Sequence, residues 1–445
     1  MIMLLKKYMD AVGQTDPIKY SGRLKRVQGI LLESIGPKAA VGEICHIMPR
    51  EGKSLLAEVV SVRDEMVQLM SYEPLHGLET GDLVIASGSP PDVSVGIGML
   101  GRVLNALGMP IDGKGPISLQ TRYPMFASPP PPMDRAPISK SIDTGIRAID
   151  AITPIGRGQR MGIFAGSGIG KSTLLGMVAR NTSADVNVIA LIGERGREVR
   201  EFIESELGEE GLKHSVLVVS TSDTPALARV RGAFTATTIA EFFRDQGNDV
   251  MLLFDSVTRF AMSQREIGLA IGEPPTTRSY TPSVFSLLPR LLERAGIASK
   301  GTITGLYTVL VEGDDLDEPV SDAVRGYLDG HIVLDRRLAE QNHYPAIDIL
   351  ASVSRVAPRI MGIEAAKTAA KIRKLVAAYR DKEDLIDVGA YAKGTNPDVD
   401  EAIDKREELD NFLIQGITEH EEAQSILSRG TKIAGAVSDV QDGRQ

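Results

Sequence analysis

The sequence predicts an α/β protein with a parallel-sheet core, preceded by a small β-barrel and followed by a helical domain. Short β-like runs broken by glycine fill residues 21–92, as is typical of a closed barrel. Strands and helices then alternate from about Ile142 to Val356, the pattern of a parallel sheet covered by helices. Beyond Ile360 the strands stop and charged helical sequence takes over. At 445 residues the chain is too long for a single core, so several domains are expected.

Composition excludes several classes of protein. The sequence has no run of about 18 apolar residues, so no membrane-spanning helix is expected. The lone cysteine, Cys45, cannot form an internal disulfide, and the first residues lack the charge order of a secretory signal. Both features favour the cytoplasm. The net charge of −9 argues against a protein whose main role is to bind nucleic acid.

The acidity is concentrated near the C-terminus. From Asp381 to Glu422 the chain carries 14 acidic residues and 4 basic ones. This balance indicates either a solvated helical face or a docking face for a basic partner.

The N-terminal region divides into three parts. Residues 1–20 are interpreted as a frayed terminal helix or as a docking helix for a partner or membrane surface. A barrel is predicted over residues 21–94, with strands at Val27–Leu32, Ala40–Ile47, Leu55–Val62, Met66–Met70 and Leu83–Ala86. The glycine-punctuated stretch Val95–Gly115 and the stiff Ser128–Pro132 connector are interpreted as the linker into the next domain.

The core is organised around a phosphate loop. An apolar strand, Met161–Ala165, enters a glycine-rich turn, and a helix opens at Lys171. Glycines let backbone N–H groups turn toward phosphate oxygens, and the helix dipole adds positive charge there. The strand–turn–helix order argues against a glycine-rich turn without a ligand, although Ala165 stands where the motif usually has glycine. The predicted nucleotide-binding residues are Gly166, Ser167, Gly168, Ile169, Gly170, Lys171, Ser172 and Thr173.

Two further strands of the core lead into acidic residues. Val250–Asp255 is an apolar strand whose terminal carboxylate can hold Mg²⁺ beside the phosphate loop. Val186–Ile192 delivers Glu194 to the same edge of the sheet, where a glutamate can polarise an attacking water. Glu198, one helical turn further on, competes for that role. Other predicted elements are the strands Val216–Ser220, Ile303–Leu310 and His331–Leu334 and the helices Arg197–Glu206 and Ala226–Gln246.

Nearly the whole chain resembles the catalytic subunits of rotary ATP synthases and their protein-export relatives. The resemblance runs through GMLGRVLNALGMPIDG, TGIRAIDAITPIGRGQR, GSGIGKST, LIGERGRE, LLFDSVTRFA and YPAIDILASVSR. Within that group, IGEPPTTRSYTPSVF (Ile271–Phe285) and the following LLPRLLERAG resemble the flagellar type III protein-export ATPases. Ser279 departs from the glycine expected in that family. The resemblance implies a RecA-like P-loop ATPase domain at 95–360 and a C-terminal helical domain at 361–445.

The resemblance also implies a role for each candidate site residue, with ATP and Mg²⁺ as cofactors. Tyr344 matches an adenine-stacking position, and Arg355 matches an arginine finger that acts across a subunit interface. Because one chain carries both Glu194 and Arg355, identical copies can complete one another's sites, and the family implies a ring of six. The implied catalytic residues are Lys171, Glu194, Arg195 and Arg355, and the implied Mg²⁺ ligands are Ser172 and Asp255.

The implied activity is ATP hydrolysis coupled to protein export at the cytoplasmic face of the membrane. The implied partners are a regulatory or stator protein at the N-terminus, export-gate membrane proteins and chaperone–substrate complexes. A small coiled-coil stalk protein is expected at the loop Val311–Pro319, which resembles the stalk-facing loop of the rotary enzymes. No nucleic-acid partner is expected.

Three alternatives stay open. A virulence-type III secretion ATPase would share every site residue named above. A nucleic-acid translocase ring would need a basic surface with aromatic side chains, whereas aromatics make up 4% of this chain. A structural ring that binds ATP without hydrolysing it would not need Lys171, Glu194, Asp255 and Arg355 together.

Overall fold

The computed structural model describes residues 19–435, apart from residues 120, 312, 314 and 316. Most of the predicted docking segment at 1–20 therefore lies outside the described residues, as does part of the loop Val311–Pro319. In the described part of the chain, no helix has the length and apolar character needed to cross a membrane.

Six antiparallel strands form a closed barrel in the order β1-β2-β5-β4-β3-β6. Inward-facing side chains such as Leu32, Ile47 and Leu69 are fully buried. The predicted strand Val27–Leu32 is wrong, because Gly29 adopts a φ of 58° and turns the chain there. The strands are β1 (Ser21–Gln28), β2 (Leu31–Ile35), β3 (Ile44–Met48), β4 (Leu55–Arg63), β5 (Met66–Ser71) and β6 (Leu83–Ala86).

The core is a nine-stranded sheet in the order β19-β18-β12-β17-β15-β13-β14-β8, with β16 beside β17. All neighbours are parallel except the β18–β19 and β16–β17 pairs. Two short antiparallel pairs, β7–β9 and β10–β11, flank it. The strands are β7 (Asp92–Val95), β8 (Arg102–Leu104), β9 (Thr121–Pro124), β10 (Ser141–Ile142), β11 (Ile155–Gly156), β12 (Arg160–Ala165), β13 (Val186–Ile192), β14 (Ser215–Ser220), β15 (Asp249–Asp255), β16 (Gly296–Ile297), β17 (Thr302–Leu310), β18 (Gly330–Leu334) and β19 (Ile347–Ser354).

The interpretation of Val95–Gly115 as a linker is wrong, because β8 lies inside it and forms an edge of the main sheet. Val103 pairs with Leu217 of β14 in parallel register. Three residues between glycine turns are too short for the alternation that identifies a strand in sequence.

Alternate side chains of the central strands point to opposite sides of the sheet. Both faces are apolar, and helices cover each of them. On β15, Leu252 and Phe254 pack in one hydrophobic core, and Met251 and Leu253 pack in the other. The helices are α1 (Arg147–Ile152), α2 (Lys171–Asn181), α3 (Gly196–Glu201), α4 (Gly208–Lys213), α5 (Ala226–Asp245), α6 (Val257–Ala270), α7 (Pro282–Leu292), α8 (Pro319–Tyr327), α9 (Arg336–Glu340), α10 (Ala357–Ile360), α11 (Ile363–Asp387), α12 (Pro397–Asp404), α13 (Arg406–Leu413) and α14 (Ala423–Ala434). A π-helical turn, Phe202–Leu207, follows α3.

The predicted fold class is confirmed: a barrel, a mainly parallel sheet between helices, and a C-terminal helical region. Helices α11 to α14 pack against the sheet domain, with Ile372 and Phe412 buried in the core that also contains α2. The domain boundaries at residues 94 and 360 stay predictions.

Candidate functional site

The phosphate loop joins β12 to α2 at the carboxyl edge of the parallel sheet. Gly168 and Gly170 adopt φ angles of 78° and 89°, which side chains with a Cβ rarely tolerate. Ile169 is buried in the hydrophobic core, so only its backbone is available to a ligand. The local sequence folds this way because glycines permit the turn and the apolar residues of α2 anchor the helix beneath it.

A cleft of about 790 Å³ opens above this loop, within the usual range for a small-molecule site. It contains one charged end and one mainly apolar end. Its lining residues are Gly166, Ser167, Gly168, Gly170, Lys171, Ser172, Thr173, Leu174, Met177, Glu194, Arg195, Glu198, Arg259, Leu310, Asn342, Tyr344, Pro345, Ile414, Gln415, Gly416 and Ile417.

Three predicted site residues meet at the charged end, because β12, β15 and β13 end at the same edge of the sheet. Lys171 Nζ lies 2.5 Å from Asp255 Oδ1 and 3.7 Å from Glu194 Oε1. Thr308 Oγ1 donates a 2.7 Å hydrogen bond to the same Asp255 oxygen. The Asp255 side chain is only 4% exposed, so this group of charges is shielded from water.

Burial and, after it, the charge of the nearby Asp255 carboxylate together raise the pKa of Glu194 to about 7, against the opposing charge of Lys171. Burial by itself would lower the pKa of Lys171, but the Asp255 and Glu194 carboxylates outweigh it and raise that pKa. Glu194 Oε1 is buried and accepts no hydrogen bond within the described residues. Glu194 therefore has the proton affinity and the unused acceptor that suit a general base near neutral pH.

Arg259, which the sequence analysis missed, lies in the first turn of α6 and lines the same end of the cleft. Its Nε is buried and has no hydrogen-bond partner in the described part of the chain. Its side chain packs over Gly193, where an added Cβ would lie 2.7 Å from it. A signal was present in the sequence, because Arg259 follows closely after Asp255, at the start of the helix that leaves the same edge of the sheet.

The opposite end of the cleft is formed by Tyr344, Pro345 and the segment 414–417. The Tyr344 ring packs near the phosphate loop, 3.6 Å from where a Cβ at Gly170 would lie. The backbone N–H of Gln415 donates a 2.8 Å hydrogen bond to the Tyr344 carbonyl. Segment 414–417 escaped the sequence analysis because it reaches the cleft only through tertiary packing.

Comparison with known proteins covers almost the whole chain. Family models of the ATP synthase alpha/beta family match residues 24–88 (beta-barrel domain) and 145–354 (nucleotide-binding domain), and the T3SS EscN ATPase C-terminal domain matches residues 363–429. The flagellum-specific ATP synthase of Treponema pallidum is 55% identical over 433 residues, which are 97% of each chain. The chain belongs to the flagellum-specific ATP synthase family. This membership confirms the predicted resemblance and the prediction of an ATPase.

Secretion ATPases are also similar to this member of the flagellum-specific ATP synthase family. The SPI-2 type 3 secretion system ATPase of Salmonella typhimurium is 51% identical over 395 residues, 88% of this chain and 90% of that protein. The assembled ATPase EscN of enteropathogenic E. coli, solved in complex with its central stalk EscO, has a TM-score of 0.86. It is 44% identical and covers 93% of this chain and 100% of its own.

Two of the predicted site residues, Arg195 and Arg355, do not join the others at the charged end of the cleft. Arg195 lies at the rim of the cleft, where its side chain is 79% exposed and pairs with Glu198 at 3.2 Å. Arg355 follows β19, which runs antiparallel to β18 and so ends at the opposite edge of the sheet from the phosphate loop. The Arg355 side chain is exposed and makes no hydrogen bond or ion pair among the described residues.

Proposed function

We propose that this chain hydrolyses Mg²⁺-ATP in a homo-oligomeric ring, a hexamer by the family resemblance, and that hydrolysis drives flagellar type III protein export. Family membership supports the activity and the process. The cleft supports the chemistry, because it joins a phosphate loop, two carboxylates and an apolar end that fits a purine base.

Each residue at the charged end has a distinct task in this proposal. Lys171 and the backbone of the phosphate loop hold the β- and γ-phosphates. Asp255 and the Ser172 hydroxyl would supply oxygen atoms of the kind that Mg²⁺ prefers. Ser172 lines the cleft, and Asp255 lies 2.5 Å from the cleft-lining Lys171. Bound Mg²⁺ neutralises phosphate charge. Glu194 orients water and accepts its proton as the water oxygen bonds to the γ-phosphorus. The bond from that phosphorus to the oxygen bridging it to the β-phosphorus breaks, and ADP and phosphate leave.

The position of Arg355 is the observation that supports assembly into a ring. Within one chain, this cation lies at the edge of the sheet opposite the phosphate loop, exposed and without an intrachain partner among the described residues. An arginine finger supplied by a neighbouring copy would complete the site, and such a finger contributes about 10³–10⁵ in rate. Each chain then contributes its phosphate loop to one active site and its Arg355 to the active site of a neighbouring copy.

Mixing two inactive variants tests this proposal. Arg355→Ala keeps the phosphate loop but loses the finger, and Lys171→Ala keeps the finger but loses the phosphate-binding lysine. In randomly mixed rings, about a quarter of the interfaces combine an intact loop with an intact finger. ATPase activity should therefore return on mixing, and mixtures that stay as inactive as the separate variants would contradict a site shared between subunits.

We also propose the division into residues 21–94, 95–360 and 361–445, a small coiled-coil stalk partner, and association with the export apparatus at the inner membrane face. A stalk is supported by the EscN–EscO complex. The acidic C-terminal region is a weaker docking candidate, because several of its acids pair with basic residues of the same region. These pairs are Lys374–Asp398, Lys371–Glu401, Lys393–Asp404 and Arg406–Asp410.

A further inference from the structure

Arg147, in α1, is a buried cation that reaches into the C-terminal region. Only 2% of its side chain is exposed. Its Nε donates a 2.8 Å hydrogen bond to the Phe412 carbonyl, and its Nη2 donates to the Ile414 carbonyl. Ile414 belongs to the cleft lining. The guanidinium thus holds the backbone at Phe412, just before the cleft lining, and at Ile414, the first residue of the segment 414–417 that lines the apolar end of the cleft.

Two carboxylates complete the coordination of this guanidinium. Arg147 Nη1 lies 2.5 Å from Glu419 Oε1 and 3.3 Å from Glu421 Oε2. The hydrogen bond from Arg147 holds the pKa of Glu419 below its usual range, so this carboxyl is charged at neutral pH. Only a planar guanidinium, with five N–H donors, can serve two carbonyls and two carboxylates at once, and a lysine cannot reproduce that fork.

Gln415 fastens the same segment from the other side. Its Oε1 accepts a 2.9 Å hydrogen bond from the backbone N–H of Arg147, and its Nε2 donates to the Gly145 carbonyl at 2.7 Å. Further along, Arg180 at the end of α2 donates to the Ile417 carbonyl at 2.8 Å. The segment 414–417 therefore has little freedom while these contacts persist.

We propose that Arg147 is a positioning residue that fixes segment 414–417 as the wall against which the nucleotide base packs. The inference rests on the proposed ATPase function and adds a residue to it. Arg147 does not line the cleft and makes no hydrogen bond or ion pair with Lys171, Glu194 or Asp255. Its contribution should therefore appear in affinity for the base and not in the chemical step.

Binding of two ligands that differ in the base separates these effects. In full-length Arg147→Lys, the Kd of Mg²⁺-ATP should rise about tenfold, and the KM for ATP should rise with it, while kcat changes less than about twofold. The Kd of Mg²⁺-tripolyphosphate, which has no base, should stay within about twofold. Arg380→Lys is the matched control, because Arg380 also ties the C-terminal helices to the sheet domain, through Asp348 at 2.9 Å, without touching segment 414–417. It should leave both dissociation constants unchanged.

Glu419→Gln provides a second variant in case Arg147→Lys does not fold, since the Glu419 side chain is 47% exposed. It should weaken Mg²⁺-ATP binding about threefold without affecting tripolyphosphate. Unchanged ATP affinity in both variants, or equal loss of both ligands, would overturn the inference. Lys171→Ala separates the two proposals: retained ATP binding there contradicts the proposed function, whereas lost binding there with unchanged Arg147→Lys affinity contradicts the positioning role alone.

Discussion

Lys171 Nζ and Asp255 Oδ1 are 2.5 Å apart, so the cation that would hold phosphate is neutralised by the carboxylate that would hold Mg²⁺. Mg²⁺-ATP offers each of them a replacement partner: phosphate oxygens for the lysine and a divalent cation for the aspartate. The binding of ATP and the binding of Mg²⁺ are therefore linked through this ion pair.

Asp255→Asn should change the affinity for ATP in opposite directions with and without Mg²⁺. Without Mg²⁺, ATP should bind several-fold more tightly, because the variant lacks the carboxylate that competes for Lys171 and repels phosphate. With Mg²⁺, affinity and kcat should both fall, the latter by about 10²-fold or more, because the proposed Mg²⁺ ligand is lost. Calorimetric titration in EDTA and in Mg²⁺, with steady-state ATPase assays, measures both.

Asp249→Asn is the control, since Asp249 begins the same strand that Asp255 ends. It should leave both affinities within about twofold of wild type, as expected for an independent site. If Asp255→Asn weakened binding of Mg²⁺-free ATP, the ion pair would not be what limits Lys171 in the empty site.

Glu194 should give the ATPase an acidic limb in its pH profile. Burial and the Asp255 charge raise the pKa of this carboxyl to about 7. A general base must be deprotonated, so kcat/KM should fall as pH decreases through about 7, where Glu194 takes up a proton in the free protein. Glu194→Gln should reduce kcat by about 10²–10⁴ and remove this limb from the residual activity.

Glu198→Gln is the matched variant, because Glu198 lies in the same cleft and was the competing candidate for the base. It should retain the acidic limb and most of the activity. Loss of the limb in Glu198→Gln, with the limb retained in Glu194→Gln, would exchange the two roles. Ionisation of ATP itself is common to all the variants and cancels in the comparison.

The sequence predicted those parts of the site that are local along the chain. Lys171, Glu194 and Asp255 each lie next to a strand that hydrophobic periodicity reveals, and parallel strands bring their carboxyl ends together. Ser279 is a further local case, because its φ of 61° lies in the left-handed region that favours the glycine expected there.

The sequence did not reveal parts of the site that depend on distant packing. Segment 414–417 reaches the cleft through Arg147, more than 260 positions earlier in the chain. The edge strand β8 is three residues long and has no periodicity of its own. Pairing with β14 defines it, and such pairing between distant segments leaves no pattern in a single sequence.

The barrel is joined to the core by a buried ion pair whose disruption should destabilise the protein. Glu58 of β4, with 1% of its side chain exposed, pairs with Arg231 of α5 and accepts a 2.5 Å hydrogen bond from the Tyr72 hydroxyl. Arg231→Met leaves that carboxylate buried without its cation, and should reduce the free energy of unfolding by about 3–5 kcal/mol. Thermal and denaturant unfolding measure the loss.

The double variant Glu58→Gln/Arg231→Met is the control for this prediction. Because it removes both charges, it should be more stable than Arg231→Met alone. Equal stability of the single and double variants would mean that the unpaired carboxylate is not the source of the destabilisation.

Arg259 should distinguish ATP from ADP. It lines the charged end of the cleft, near Lys171 and Glu194, and its buried Nε lacks a hydrogen-bond partner within the described residues. The γ-phosphate is the group that a cation there would meet, because in the proposed mechanism Glu194 acts on the water that attacks it. Arg259→Ala should therefore weaken Mg²⁺-ATP binding about tenfold or more and leave Mg²⁺-ADP binding nearly unchanged.

Arg265→Ala is the control on the same helix, because Arg265 stacks on the Tyr280 ring at 5.2 Å and does not line the cleft. Equal loss of ATP and ADP affinity in Arg259→Ala would place this cation at the phosphates that both nucleotides share.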